Sequence, residues 1–198
     1  MLKLYDFTLS GNCYKVRLMM ALLNLEHELI SINVKNGEQK TPEFLNLNQW
    51  GQVPVLVDGD LVLRDSQAIL VYLARHYGGE SWLPNHAEAM SLVMQWLSTA
   101  VHDIQQGFAA ARVYHLFSRQ LDIETATARA YGVLKVMNQH LAQRQWLELN
   151  CPTIADIACF PYIALAEDGK ISLADYPNVV DWITRVKQLP GYVGMPGL

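Results

Sequence analysis

The sequence predicts an α/β domain at the amino-terminal end and an all-α domain at the carboxyl-terminal end. Strand-like and helix-like periods of apolar residues alternate over residues 1–77, whereas only helical periodicity occurs over residues 87–198. Residues 78–86 begin with two glycines and are predicted to be a linker. Apolar residues form 51% of the 198, which is enough to fill a sizeable core.

The first domain is predicted to have the element order β-α-β-α-β-β-α. Its strands show apolar runs or alternation, and its helices show apolar spacings of three and four. The second helix has proline at its first position, and a two-residue Asp58–Gly59 turn joins the last two strands. The predicted elements are a strand at Leu2–Phe7, a helix through Val16–Leu23, a strand through Ile30–Val34, a helix from Thr41, strands at Val53–Val57 and Asp60–Leu63, and a helix from Ser66.

One long amphipathic helix is predicted to open the second domain. Its apolar residues recur on one helical face at Met90, Val93, Met94, Leu97, Val101 and Ile104. Further along, Thr153 and Asp156 have the spacing of a capping box, to which we assign a folding role. No apolar run approaches the roughly 18 residues that a membrane span needs, so no membrane association is expected.

Composition excludes several classes of function. Fifteen Lys and Arg against 19 Asp and Glu give a net charge of −4, which offers no electrostatic footprint for nucleic acid. The three cysteines have no disulfide or metal spacing, and the start of the chain is not a signal peptide, so a reducing, cytoplasmic location is expected. The six histidines are scattered, and no hydrolase, kinase or metalloenzyme motif occurs, so no metal is expected.

Three edges between elements of the first domain could carry chemistry. Ser10–Cys13 precedes the first helix, where free N–H groups and the helix dipole favour an anion, although a simple helix cap would also explain it. Gln52–Pro54 places a proline in an apolar strand, either as a cis bond beside a ligand or as an edge. Asp65–Ser66 precedes the third helix and could hold a carboxylate or only cap that helix.

Taken together in this order, these segments resemble the cytosolic-type glutathione S-transferases, in particular bacterial, theta-like, serine-type members. The resemblance spans nearly the whole chain. It is carried by Leu4–Phe7, Ser10–Arg17, Gly51–Leu56, Arg64–Ile69, Pro152–Ala158 and Tyr176–Val179. The same fold also serves isomerases, reductases and non-enzymatic modules, so the motifs are more specific for the fold than for the activity.

The resemblance implies a thioredoxin-like first domain that binds glutathione. Val53, before a cis Pro54, matches the position whose backbone pairs with the cysteinyl part of the tripeptide. Ser66 matches the residue that takes the γ-glutamyl carboxylate, and Asp65 lies near the γ-glutamyl amine. Gln52 matches a position, often lysine in relatives, that helps to hold the tripeptide. The missing charge at Gln52 would weaken contact with the glycyl carboxylate.

The resemblance also implies that Ser10 is the catalytic serine. A hydroxyl that donates to sulfur at a helix N-terminus favours thiolate over thiol, and two units of pKa are about 2.7 kcal/mol. Three alternatives remain open at this stage. Tyr5 could be the donor, Cys13 could form a mixed disulfide, and Asn12 could support the sulfur as in glutathione-dependent disulfide reductases.

The expected function is transfer of glutathione to a small electrophile by a cytoplasmic homodimer that serves detoxification. The electrophile pocket is expected between the domains, with Phe108, Arg112 and Tyr114 as candidate lining residues. Two other functions remain candidates. One is a glutathione-dependent disulfide or peroxide reductase, and the other is a non-catalytic interaction module that has kept the fold.

Overall fold

The computed structural model describes all residues from 1 to 198. Four strands form one sheet: β1 (Leu2–Asp6), β2 (His27–Ser31), β3 (Val55–Asp58) and β4 (Leu61–Arg64). The spatial order is β2-β1-β3-β4, with β1 and β2 parallel and the other pairs antiparallel. Helices α1 (Gly11–Leu22), α2 (Pro42–Leu47) and α3 (Ser66–Leu73) connect or follow these strands. The predicted element order of the first domain is confirmed.

The second strand ends earlier than its alternation predicts. Ile30–Val34 was expected to be extended, but β2 stops at Ser31, which pairs with the last residue of β1, Asp6. The N–H of Ile32 still donates to the carbonyl of Asp6 at 2.7 Å, but β1 ends at Asp6 and offers no partner to the residues beyond Ile32. Val34 instead begins a short 3₁₀ turn, Val34–Asn36.

The hairpin turn also lies one residue beyond its predicted place. Asp58 pairs with Leu61, so the two-residue loop is Gly59–Asp60 rather than Asp58–Gly59. Gly59 has φ +58°, a left-handed value that glycine adopts without a steric penalty. Placing the glycine first in the loop therefore sets the register of the two strands.

The second half of the chain is helical. Its helices are α4 (Ala87–Thr99), α5 (Ala110–Phe117), α6 (Ile123–Leu141), α7 (Ile154–Ala164) and α8 (Pro177–Lys187). A π-helical segment, Ala100–Ala109, joins α4 to α5, so the predicted long helix is a continuous helical run of two types. No helix combines the length and apolar character needed to cross a membrane.

Helix α7 lies at the centre of the molecule. Every residue from Ile154 to Ile163 is buried. It packs against α1 and α3 on one side and against α4 and the π-helical segment on the other. One apolar core therefore runs continuously from Leu2 to Met195 and fixes the two halves of the chain against each other.

Candidate active site

A cavity of about 500 Å³ lies between the α/β half and the helical half. The α/β half contributes the segment between β1 and α1, the loops on either side of α2, and the starts of α1 and α3. The helical half contributes Val101, Gln105, Arg112, Val113, Phe117 and Tyr162. A smaller space of about 70 Å³ adjoins it and shares five lining residues with it. The structure thus brings together, on these two spaces, the sequence-predicted residues Ser10, Asn12, Gln52, Val53, Pro54, Asp65, Ser66 and Arg112.

Ser10 caps the first turn of α1. It has extended backbone angles, φ −79° and ψ 119°, and its Oγ accepts a hydrogen bond from the N–H of Cys13 at 3.2 Å. A serine hydroxyl can accept and donate at the same time. Capping the helix therefore does not consume the proton that an anion in the cavity would receive. Asn12 lies in the same turn and lines both spaces.

Cys13 and Tyr5, two of the alternative partners for the glutathione sulfur, do not line the cavity. Cys13 is completely buried, and its Sγ accepts a hydrogen bond from the N–H of Phe7 at 3.4 Å. Burial raises the pKa of the Cys13 thiol to about 12, so the thiolate is strongly disfavoured. Tyr5 is half-buried and packs edge-on against Phe44, with ring centroids 6.0 Å apart. The position of these two residues favours Ser10 and Asn12 as the groups next to a ligand.

The loop before β3 presents backbone groups to the cavity. The Val53–Pro54 peptide bond is cis, as the resemblance implies. Neither the N–H nor the C=O of Val53 takes part in the backbone hydrogen bonds of the loops. Gln52 is held by its own carbonyl, which accepts a hydrogen bond from Asn48 Nδ2 at 2.8 Å. Val53 thus retains a donor and an acceptor for an extended ligand.

Asp65 and Ser66 have different roles at the start of α3. Asp65 Oδ1 accepts hydrogen bonds from the N–H groups of Gln67 and Ala68 at 2.9 and 3.1 Å, so Asp65 is the cap. Its φ of +73° is rare for a residue with a side chain and costs about 1–3 kcal/mol. Ser66, the first helical residue, lines the cavity, and its side chain does not take part in the capping of the helix.

Arg112 closes the cavity from the helical side. Its Nε donates to Asp168 Oδ2 at 2.8 Å, and its Nη1 donates to the carbonyl oxygen of Leu9 at 2.7 Å. The side chain is 4% exposed, so both contacts are shielded from water. One arginine therefore joins the helical half to the residue just before Ser10.

Phe108 and Tyr114 do not line the cavity. Phe108 is 1% exposed inside the core. Tyr114 is two residues beyond Arg112, which places it about 200° around a helix from Arg112. Its ring stacks edge-on against His115, with centroids 5.0 Å apart. The structure therefore places Phe108 and Tyr114 away from the cavity, although the sequence predicted that they line it together with Arg112.

Several cavity residues were not identified from the sequence, and Lys15 and Tyr162 are the two of them that carry ionisable groups. Lys15 follows Asn12 by three residues on α1, a spacing that places both on one face and could have indicated it. Tyr162 lies on α7 within a wholly buried run, where apolar periodicity cannot tell which side faces a cavity. The Lys15 Nζ lies 5.5 Å from the centroid of the Tyr162 ring. Burial lowers the pKa of Lys15 to about 8 and raises the pKa of Tyr162 to about 12.

The chain is similar to known proteins over nearly its full length. Family models described as "Glutathione S-transferase, N-terminal domain" and "Glutathione S-transferase, C-terminal domain" match residues 4–81 and 89–190. Glutathione S-transferase 3 of Zea mays is 32% identical, covering 96% of this chain and 91% of the relative. The disulfide-bond oxidoreductase YfcG of Escherichia coli K12 is 29% identical, covering 96% and 92%.

Solved structures agree with the sequence comparison. A crystal structure of a glutathione S-transferase from Pseudomonas fluorescens superposes with a TM-score of 0.92 at 33% identity, covering 98% of each chain. A sequence identity of 33% indicates a shared family as well as a shared fold. With a thioredoxin-like sheet, a helical second half and a cavity between them, the chain belongs to the glutathione S-transferase family.

Proposed function

We propose that this protein is a glutathione transferase that activates the thiol of glutathione and transfers it to a small electrophile. The observation that carries the proposal is the arrangement at one cavity edge. There the first turns of α1 and α3 and the free backbone of Val53 face the same space. Two helix N-termini attract anions, and an open backbone segment pairs with a peptide. A tripeptide with a carboxylate and a thiolate fits this combination.

The tripeptide is proposed to lie along the α/β wall. The hydroxyl and N–H of Ser66 would bind the γ-glutamyl carboxylate, while the second carboxylate oxygen of Asp65 would accept from the amine. The backbone of Val53 would pair with the cysteinyl residue, and Gln52 would contact the tripeptide beside it. This orientation directs the cysteinyl sulfur toward Ser10 and Asn12 at the start of α1.

Ser10 is proposed to stabilise the thiolate. A free thiol with a pKa near 8.5 is only a few per cent ionised at neutral pH. A hydroxyl donating to the sulfur, together with the N-terminal end of α1, favours the ionised form. The thiol proton passes to water, and the sulfur then supplies the electron pair of a new carbon–sulfur bond. The leaving group departs from the electrophile with the electron pair of the broken bond.

Val101, Val113 and Phe117 form an apolar wall on the helical side of the cavity. Apolar walls with few polar groups are typical of sites that hold small organic molecules. The electrophile is therefore proposed to enter here, with Arg112 beside it.

The test is the Ser10→Ala variant with glutathione bound. Thiolate absorbance measured against pH is expected to show the pKa of the bound thiol raised by about one unit or more. Turnover with a model electrophile should fall while the Michaelis constant for glutathione changes little. Ser98→Ala, on the exposed face of α4, is the control and should match the parent. Unchanged turnover in the Ser10 variant would reject its assignment.

A glutathione-dependent disulfide reductase is the second candidate function. It is favoured by Asn12 lining the cavity beside Ser10 and by the similarity to a relative named as a disulfide-bond oxidoreductase. In this reaction the glutathione thiolate attacks a disulfide, and one sulfur leaves as a thiolate. Asn12→Ala should then lower disulfide reduction more than conjugation in paired assays. An equal effect on both rates would leave conjugation as the function.

The finer assignments complete the proposal. The protein is proposed to be a serine-type, theta-like member that acts in the cytoplasm as a homodimer in detoxification. The homodimer is carried over from the resemblance to the family, and Val62 on β4 and Met94 on α4 are large apolar side chains left exposed in the single chain. Sedimentation equilibrium should give twice the chain mass of 22.4 kDa. A monomer at micromolar concentration would contradict this assembly.

A further inference from the structure

Lys15 is a buried ammonium group at the edge of the cavity with no counter-ion. Its residue is 1% exposed, and it belongs to the cavity lining. None of the ion pairs of the chain includes it. An unpaired buried charge is expensive, because the lost hydration is not replaced by a partner. An anion bound in the cavity would supply the partner that the chain itself does not.

The geometry of α1 directs this ammonium group toward the first turn of that helix. Side chains of a helix tilt toward its N-terminus, so Lys15 reaches back over the turn that contains Asn12. The ring of Tyr162 covers the Lys15 Nζ at 5.5 Å. That ring lies tightly on the first turn, since a Cβ at Gly11 would be 2.7 Å from two of its atoms. Tyr162 thus lies against both the ammonium group and the first turn of α1, and Lys15, Tyr162 and Ser10 line the same cavity.

The other ionisable groups near Lys15 either have a partner within the chain, are uncharged, or lie too far from it to form an ion pair. Asp65, the cap of α3, acts on it from beyond ion-pair distance, and Cys159 on α7 is buried and protonated. Arg112, the second buried cation of the cavity, is neutralised by Asp168. Lys15 is therefore the uncommitted positive charge of the cavity.

We propose that the Lys15 ammonium group is the buried counter-charge of the glutathione thiolate, acting together with the Ser10 hydroxyl. The inference rests on the proposed function, which supplies the thiolate. A hydroxyl contributes a dipole, whereas an ammonium group contributes a full charge, and water screens this one little because Lys15 is buried. The cost of burying Lys15 is then recovered when the anionic sulfur binds.

A pH dependence follows from this arrangement. Burial is the largest cause that lowers the pKa of Lys15 to about 8, with Asp65 and Cys159 opposing it. The ammonium form is therefore present below about pH 8 in the free protein and is lost above it. The ratio kcat/KM should fall on the alkaline side near pH 8, since it reports groups of the free enzyme. A bound thiolate favours the ammonium form, so the corresponding limb of kcat should lie at higher pH.

The experiment compares the pKa of bound glutathione in the parent and in Lys15 variants by thiolate absorbance. Lys15→Met, which keeps a similar volume without charge, should raise the bound-thiol pKa by about one unit. It should also remove the alkaline limb of kcat/KM. Lys15→Arg keeps the charge and should recover most of the shift. Lys187→Met, at the exposed end of α8, makes the same charge change far from the cavity and should match the parent.

The outcomes separate this inference from the proposed function. A parent that lowers the thiol pKa, with Lys15→Met lowering it equally, overturns the inference and leaves the function standing. A variant that raises only the Michaelis constant would place Lys15 at the γ-glutamyl carboxylate and also overturns it. A parent that leaves the thiol pKa unchanged rejects the function itself. If Lys15→Met does not fold, the bound-thiol pKa is measured in Lys15→Gln instead, and the parent is tested for the alkaline fall of kcat/KM near pH 8. An unchanged thiol pKa in Lys15→Gln, or no such fall in the parent, overturns the inference.

Discussion

Individual residues at the start of α3 show how stability and binding compete. Asp65 keeps a left-handed backbone conformation while its carboxylate caps two N–H groups of α3. The capping bonds offset part of the strain, and the next residue, Ser66, lines the cavity. The helix is thus capped by one residue while its neighbour is left available for a ligand.

Replacing Ser66 tests this division. Ser66→Ala removes a hydroxyl that would contact the γ-glutamyl carboxylate in ground state and transition state alike. The Michaelis constant for glutathione should rise about tenfold or more, with kcat changed little. Steady-state kinetics with varied glutathione measures both quantities, and Ser91→Ala on α4 is the control. A fall in kcat alone would mean that Ser66 does not act in binding.

At the scale of elements, the π-helical segment and α6 approach each other very closely. A Cβ on Gly107 would lie 2.9 Å from the backbone nitrogen of Ala130, whereas a Cβ on Gly132 would meet nothing within 4 Å. The first glycine is therefore required by packing between two backbones. Gly132, which lies in α6, is not required for any close approach.

These two glycines give a matched pair of substitutions. Gly107→Ala should lower the free energy of unfolding by about 1–3 kcal/mol, because backbone atoms cannot move aside as a flexible side chain would. Gly132→Ala should raise it by about 0.5–1 kcal/mol through helix propensity. Chemical denaturation of both variants measures the difference. Equal shifts of the same sign would contradict the close approach.

The capping box of α7 extends further than its sequence pattern shows. The Thr153–Asp156 box is present, as predicted. Asp156 Oδ2 accepts from the N–H of Thr153 at 2.9 Å, and its Oδ1 accepts from the N–H of Leu147 and from Trp182 Nε1 at 3.1 and 2.9 Å. The fully buried carboxylate thus ties α7, α8 and the loop before α7 together.

Loss of this carboxylate should cost more than loss of an ordinary cap. Asp156→Ala leaves three buried donors without acceptors and should lower the free energy of unfolding by about 3–5 kcal/mol. Asp122→Ala, which removes the exposed cap of α6, should cost clearly less than Asp156→Ala. Denaturation midpoints compare the two variants. An equal loss in both would show that the additional donors contribute nothing.

Across the whole molecule, the site depends on contacts that join the two halves of the chain. Arg112 links the helical half to Leu9, and the ring of Tyr162 lies on Gly11. Both contacts fall within two residues of Ser10. The helical half therefore holds the end of β1 and the start of α1 in place, in addition to forming the wall for the electrophile.

The Arg112→Ala variant tests this dependence. It leaves Asp168 and the Leu9 carbonyl without their donor and should cost about 2–3 kcal/mol of stability, because Asp168 is partly exposed. Turnover should also fall, since the chain before Ser10 loses its anchor. Arg129→Ala breaks the exposed pair with Asp103 and should cost less than about 1 kcal/mol with turnover unchanged. An Arg112 variant with normal stability and turnover would contradict the link.

Local patterns in the sequence determined the order of the elements, the caps of α2 and α7 and the residues that open α1 and α3. These features depend on a few neighbouring residues, because periodicity, caps and turns act over one or two helical turns. The α/β wall of the cavity was predictable for the same reason, since its residues lie at the ends of such elements. The end of β2 was not, because it depends on where the neighbouring strand stops.

The tertiary structure alone decided which helical residues reach the cavity. Arg112 meets Leu9 across 103 positions of the chain, and neither residue carries a local signal of the other. Phe108 and Tyr114 share the helical pattern of Arg112 but point elsewhere, whereas Lys15 and Tyr162 face each other across the boundary between the two halves. A burial pattern along one helix shows which face is covered but does not show what covers it. Lys15 belongs to a largely apolar helix, and only the packing of α1 against α7 places its charge at the cavity.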